Sequence, residues 1–310
     1  MSVFNQTRFW QSFHDSNIEL RNGIKHDQRY CVEPLYKSES FTISDFNSYA
    51  PERYIFRPGY TAEFCMNFTR RGYFLFNAYK VVCEEYISRI LIEKPNCEFR
   101  LVQQEPGFGA CTIFRFTEAG FNEITERFEL KNSNFFNDPD AYSTIVSASP
   151  EAEYIHYFIL ENLLRNNTSR LLIDSLVMEM VTEVMKHFSE IAIVPVSDNK
   201  NKRHYIQTVE RAKEFILDHF TKNISLNELA SHCYVSPFHF SRIFKQYSNY
   251  SPYQYLQLVR LKHAETLIRT TDLPIADVCF RSGFNRVDYF STAFAKKFLA
   301  SPSKYKQAVS

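Results

Sequence analysis

The sequence predicts an α+β protein in two parts: a β-rich N-terminal domain with trailing helices, then an all-α C-terminal domain. Three observations carry this. Short aromatic and β-branched runs recur between turn signals up to about residue 117. Beyond that point apolar residues fall at helical spacing. The last hundred or so residues contain an internal repeat.

The strand signals are FTISDF at 41–46, TAEFCMNF at 61–68, GYFLFNAYKVV at 72–82, YISRILI at 86–92 and CTIFRF at 111–116. Arg57-Pro58-Gly59, Lys94-Pro95-Asn96 and Glu105-Pro106-Gly107 punctuate them as turns. Strands this short and this frequent suit a barrel or a sandwich. Residues 118–190 read as helical. One helix opens at Ala148-Ser149-Pro150, and a second, from about Ser169 to Ser189, carries Leu172, Leu176, Met180, Val184 and Phe188 on one stripe. Two readings of that stripe stand: core packing against the sheet, or a subunit contact that makes a dimer.

Length and composition agree with this division. A chain of 310 residues suits two domains, and 45% apolar with 23% charged residues is ordinary for a soluble globular protein. There is no signal-peptide stretch and no run of about 18 apolar residues, so the expected location is cytoplasmic, with no membrane partner. The seven cysteines are scattered without a CxxC pair, which points to free thiols. From Lys200 onward 17 basic residues face 8 acidic ones, a net of +9, while residues 1–199 carry a net of −8. A basic lobe of that size suggests a polyanionic partner.

Residues 195–204, PVSDNKNKRH, are polar, start with proline and coincide with the charge switch. They are read as a linker between a domain at 1–194 and one at 205–310. Within the latter, SLNELASHCYVSPFHFSRIFKQYSNYSP (225–252) is repeated by PIADVCFRSGFNRVDYFSTAFAKKFLASP (274–302). Leu226, Leu229 and Ala230 match Ile275, Val278 and Cys279 at an offset of 49. Phe240, Ser241 and Phe244 match Phe290, Ser291 and Phe294 at an offset of 50. One extra residue in the second turn explains the difference.

Each copy has the parts of a helix-turn-helix, placed at 225–246 and 274–298. A small residue, Ala230 or Cys279, lets the second helix cross closely. Ser236-Pro237 is a cap followed by a proline at the first helical position. In the second copy Gly283 supplies the turn and Asn285 the expected cap. The following helix buries its phenylalanines and leaves its other face for a major groove. A helix from Ser251-Pro252 to near Arg269 joins the units; about eighteen residues at ~1.5 Å each span roughly 27 Å. Successive major-groove faces lie about 34 Å apart.

These residues resemble the AraC/XylS transcription regulators over about residues 205–306. The resemblance rests on LxxLA…SPxxFSRxFK at 226–245, SPYQYLQLVRLKHAETLI at 251–268, IxDVxxxxGFxxxxYFSxxFxKxF at 275–298 and SPSKY at 301–305. The N-terminal half is only loosely similar to the family's sensing domains, through strands with PGFGACTIFRF followed by helices. Tyr234, Asn249 and Leu299 stand where the family has glycine, Ala295 where lysine is common and Thr292 where arginine is frequent. The resemblance implies a sequence-specific regulator of transcription, usually an activator. Its partners would be double-stranded DNA, with RNA polymerase, a small-molecule effector and a second copy of the chain also implied.

By similarity, Phe238, Ser241 and Arg242 face base edges in the first recognition helix. Arg242 is suited to guanine and Phe238 to thymine methyls. A phosphate contact for Arg242 and a core position for Phe238 are the alternatives. His239 and Lys245 share the outward face. In the second helix Arg286, Val287, Ser291 and Thr292 correspond, while Asp288 is read as structural. Lys296, Lys297 and Arg260 suit backbone neutralisation, with Arg260 equally readable as packing of the linking helix.

No cofactor or metal is expected. A barrel of the cupin kind would hold a metal through clustered histidines, yet His14, His26, His156 and His187 before the linker show no HxH spacing. No GxSxG, Walker loop or GxGxxG occurs, and Cys111 in an apolar strand reads as core rather than nucleophile. The expectation is a non-enzyme. Two other readings stay open: a metal-free cupin-like enzyme fused to a DNA-binding module, and an N-terminal domain that is purely structural. If the domain senses a molecule, an aromatic-lined pocket is expected.

Overall fold

The computed structural model describes residues 29–130, 133–165, 169–186, 188 and 201–309. The strands are β1 (Tyr30–Lys37), β2 (Phe41–Ala50), β3 (Tyr54–Ile55), β4 (Gly59–Thr61), β5 (Phe64–Arg71), β6 (Phe74–Ala78), β7 (Val81–Glu85), β8 (Arg89–Glu93), β9 (Cys97–Gln103), β10 (Gly107–Phe116) and β11 (Ser143–Ser147). The helices are α1 (Glu118–Arg127), α2 (Asn134–Asn137), α3 (Pro150–Leu164), α4 (Arg170–Lys186), α5 (Lys202–His219), α6 (Leu226–His232), α7 (Pro237–Ser248), α8 (Pro252–Thr270), α9 (Ile275–Arg281), α10 (Val287–Phe298) and α11 (Pro302–Val309).

Two antiparallel sheets form the N-terminal part. One has the order β1-β2-β10-β5-β8-β11; the other has β3-β9-β6-β7, with β4 also on β9. Alternation along β5 shows how they stack. Phe64, Met66 and Phe68 enter the core shared with α3 and α4. The intervening Cys65, Asn67 and Thr69 are buried too, on the face turned to the second sheet. Phe46 and Cys111 of the first sheet meet Phe74 of the second. The molecule is thus layered as sheet, sheet, helices.

Several expectations need correction. The run at 72–82 is two strands, because Tyr79, with φ of 52°, turns the chain between β6 and β7. Residues 118–190 are not all helical: β11 pairs with β8 at the sheet edge before α3 begins. The linker is shorter than 195–204, since α5 already starts at Lys202; residues 195–200 lie outside the described set. Of the two readings of the α4 stripe, core packing is the one realised, with Leu176, Met180 and Val184 buried.

Between the sheets the seam is partly polar. Glu93 accepts from Asn67, and Glu85 from Thr69. Burial pushes the Glu85 carboxyl up to about 8 and the Glu93 carboxyl up to about 7.

The helical repeat is regular. α6 and α9 are seven residues each, and α7 and α10 twelve. In both turns the chain closes alike: Val235 N–H donates to Ala230 O at 3.0 Å, and Phe284 N–H to Cys279 O at 3.1 Å. The two units differ in what they pack on. Phe240, Phe244 and Tyr255 belong to one core continuous with the sheet, α3, α4 and α5. Phe290 and Phe294 close a separate core with Val278, Cys279 and the later part of α8.

Gly283 and Arg260 join those cores. The Arg260 guanidinium donates to Phe220 O (2.7 Å) and Lys222 O (2.6 Å), covering the carbonyl end of α5. Gly283, at φ of 81°, lies so close that a Cβ would sit 2.6 Å from Phe220 O and 2.9 Å from Arg260 Nε.

Two outcomes follow from this packing. Glu85 and Glu93 retain protons that an unfolded chain releases above about pH 4.3. Their contribution is full below that value and is lost as pH rises through about 7 to 8. Thermal melts from pH 5 to 8 should show falling stability, with a shallower fall in Glu85→Gln. Gly283→Ala combines a left-handed backbone with a clash and should cost at least ~1–2 kcal/mol. Hydrogen exchange should rise at the end of α5 and across the second unit, leaving the sheets protected.

Candidate nucleic-acid interface

The first recognition helix, α7, is set by its caps. Ser225 and Glu228 form a reciprocal capping box at the start of α6. Ser236 Oγ accepts from His239 N–H at 3.4 Å, and Pro237 follows it. The turn carries Tyr234 at φ of 59°, a left-handed position that its neighbours hold without glycine. α7 ends on Asn249, also left-handed, as its residue type allows.

With Phe240, Ile243 and Phe244 turned inward, the outward face presents Phe238, Arg242 and Lys245, with Ser241 half-buried between them. Phe238 is 84% exposed, which excludes the core position for it. An exposed aromatic beside a guanidinium suits a groove surface. His239 sits to one side: its ring meets Tyr205 edge-on at 5.7 Å, and its Nδ1 lies 3.3 Å from an Arg242 amino group.

The second recognition helix, α10, follows a turn in which Asn285 does not act as the cap. The cap position is Arg286, whose side chain does not accept from the helix's first backbone N–H groups. Arg286 instead pairs bidentately with Asp288, at 3.1 and 2.5 Å. Asp288 thus engages one of the cations assigned to the interface, in a pair exposed to solvent. Thr292 Oγ1 donates back to Asp288 O at 3.0 Å. Val287, Thr292 and Lys296 are exposed and Ser291 is half-buried. Leu299 closes the helix in the left-handed region at 92% exposure, doing without the glycine the pattern prefers.

Two of the expected backbone neutralisers have other partners. Arg260 is the clamp on α5 described above, so its packing alternative is the one realised. Lys297 forms an ion pair with Glu151, in the first turn of α3. Other cations of the helical module also end on N-terminal carboxylates. Lys213 Nζ reaches both Glu153 oxygens at 2.5 and 2.7 Å, and Tyr255 donates to the same carboxylate at 2.5 Å. Glu179 on α4 takes Lys262 and Arg269. Tyr154 Oη meets His263 Nδ1 at 2.6 Å; burial holds the His263 imidazole down to about 4, so it stays neutral.

A group invisible in the sequence also emerges. Tyr289 on α10 meets Tyr253 Oη at 2.8 Å and accepts from Gln257 at 3.0 Å, bridging the linking helix to the second recognition helix. Thirty-six residues separate the tyrosines, and only folding pairs them.

Among the described residues, the N-terminal domain offers no comparable cluster at the positions the sequence singled out. His156 is buried, stacked on Phe68 and bonded to Thr112; His14, His26 and His187 lie outside the described residues. Cys111 is buried, and burial pushes its thiol well up.

Comparison with known proteins matches the helical module. Residues 229–308 match the model of a helix-turn-helix domain family. The HTH-type transcriptional activator RhaS of Klebsiella pneumoniae is 37% identical over 90 residues, 29% of this chain and 32% of that protein. The bifunctional transcriptional activator/DNA repair enzyme AdaA of Bacillus subtilis is 32% identical over 99 residues, 32% of this chain and 47% of that protein. The chain spans less than half the length of either relative. The solved structure of ToxT from Vibrio cholerae O395 covers 88% of this chain and 100% of its own at 15% identity, with a TM-score of 0.38. With its duplicated units, linking helix and matched family model, the C-terminal third of this chain is a helix-turn-helix domain, similar to those of known transcriptional activators.

Proposed function

We propose that the protein is a sequence-specific, cytoplasmic transcription regulator, an activator, that sets α7 and α10 into successive major-groove turns of one duplex. The observation that carries this is the pairing of two equal helix-turn-helix units on one 19-residue helix, α8, about 28 Å long. Phe238, Ser241 and Arg242 read bases from α7; Val287, Ser291 and Thr292 do so from α10. Lys245 and Lys296 neutralise phosphates. The N-terminal domain senses a small molecule and supports a dimer, and polymerase is the protein partner of the activated state.

The ion pair between Glu151 and Lys297 supports a further element of this reading. A carboxylate on the acidic domain takes a cation of the second recognition helix that a phosphate would otherwise neutralise. The N-terminal domain thereby restrains the second unit, and release of Lys297 accompanies tight binding.

Selection from a random duplex pool at near-physiological salt tests the reading. A motif spanning about two helical turns is expected, with Arg242→Ala losing ~10- to 100-fold and relaxing one position. A motif confined to one turn would reject the bipartite mode, and no enrichment would count against DNA reading altogether. On the selected duplex, Glu151→Gln should bind ~3- to 10-fold tighter and steepen the salt dependence by about 0.9 in log–log slope. Unchanged affinity and slope would show that Lys297 stays off the phosphates.

A further inference from the structure

A cavity of about 360 Å³ lies outside the space between the sheets, on the helix-covered face of the first sheet. Its walls come from β2, β5 and β10, from α3, and from α5, the first helix of the C-terminal module. Its size is at the low end for small-molecule sites. Phe68, Tyr73 and Phe108 contribute aromatic rings to the lining, but charged side chains outnumber them. Six cationic side chains (Arg70, Arg71, Arg89, Arg203, Arg211 and Lys213) stand among five carboxyls. One of those carboxyls, Glu210, accepts from Gly72 N–H at 2.9 Å, and burial pushes it up to about 8, so it carries little charge near neutrality. The wall is therefore net positive.

Hydrogen bonding points the same way. Among the lining residues, Asn47 Nδ2, Arg70 Nε, Ser88 Oγ and Arg211 Nε have no partner among the described residues. Three of these are donors only, Ser88 Oγ can donate or accept, and no lining side-chain atom that only accepts is left in the same state. Unsatisfied donors are costly where they are enclosed. An occupant rich in acceptor oxygens would match the excess, and Phe68, Leu160 and Leu217 would cover its carbon skeleton.

We propose that this cavity binds a sugar-sized organic oxyanion, a phosphorylated or carboxylated polyol, between the sheet and α5. This rests on the sensing role assigned above and gives it a place and a chemistry. The connection to the DNA-binding module is short. The Arg211 guanidinium lies 5.8 Å from the centre of the Tyr234 ring, which stands in the turn of the first unit. An occupant that engages Arg211 acts on that turn through one side chain.

Calorimetric titration of the full chain with gluconate, glucose 6-phosphate and glucose tests the proposal without DNA. At least one anion should bind at one site per chain, and neutral glucose should not. Binding of gluconate alone assigns a carboxylate ligand, and binding of glucose 6-phosphate alone a phosphate ester. Arg211→Gln should weaken the anion at least about tenfold, as loss of a charged hydrogen bond does. Ala110→Leu, which narrows the cavity, should abolish it in protein whose circular dichroism is unchanged; if that variant does not fold, Arg211→Gln decides. No binding of either anion, equal binding of glucose, or full affinity in Arg211→Gln would overturn the site. The DNA reading fails separately, when ligand-free wild-type protein selects no duplex. If the anion binds but leaves affinity for the selected duplex unchanged, the site stands and its connection through Arg211 does not.

Discussion

The buried carboxylate of Glu153 is the contact on which the arrangement of the two domains turns. It sits in the first turn of α3, beside the cap Ser149 and Pro150, where the helix N-terminus already favours a negative charge. It receives Lys213 from α5 and Tyr255 from α8. Withdrawing a carboxylate and an ammonium from water costs several kcal/mol per ion, and only close, well-directed partners offset it. That condition makes the junction specific: another placement of α5 or α8 would strand a buried charge. The first helix-turn-helix unit is consequently continuous with the N-terminal core, through Phe240, Phe244 and Tyr255.

The second unit is attached differently. Its phenylalanines close their own core, and its links to the acidic domain are mainly polar: Glu151 with Lys297, and Glu179 with Lys262 and Arg269. Lys297, the partly exposed member of its pair, is open to salt and to competing anions in a way that a shared apolar core is not. The charge asymmetry of the chain thus has an internal meaning besides an external one. Part of the basic lobe already faces the acidic domain, and the cations left outward on α7 and α10 are those available to a polyanion.

Local chemistry explains why the recognition helices look as they do. A capping serine, a proline at the first helical position and phenylalanines four apart set α7, whereas α10 keeps only the phenylalanines. The left-handed residues Tyr234 and Leu299 show the limit of such rules. Both are strained types for that backbone, and both are tolerated because the turn and helix end around them are fixed by neighbouring contacts.

The sequence by itself determined the two-part α+β division, the repeat with its offsets of 49 and 50, and the caps at Ser236 and Ser251; the capping box at Ser225 and the exposure of Phe238 came from the structure. The division, the repeat and those two caps depend on contacts within a few residues, which periodicity and capping chemistry express directly. Tertiary structure decided the sheet order, the return of β11 to the sheet, the clamp role of Arg260, the engagement of Lys297 by Glu151, the tyrosine pair on α8 and α10, and the charged cavity against α5. Each joins residues tens to more than a hundred positions apart. No local pattern records which distant carboxylate a lysine will meet; that is settled only when burial forces every charge to find its partner.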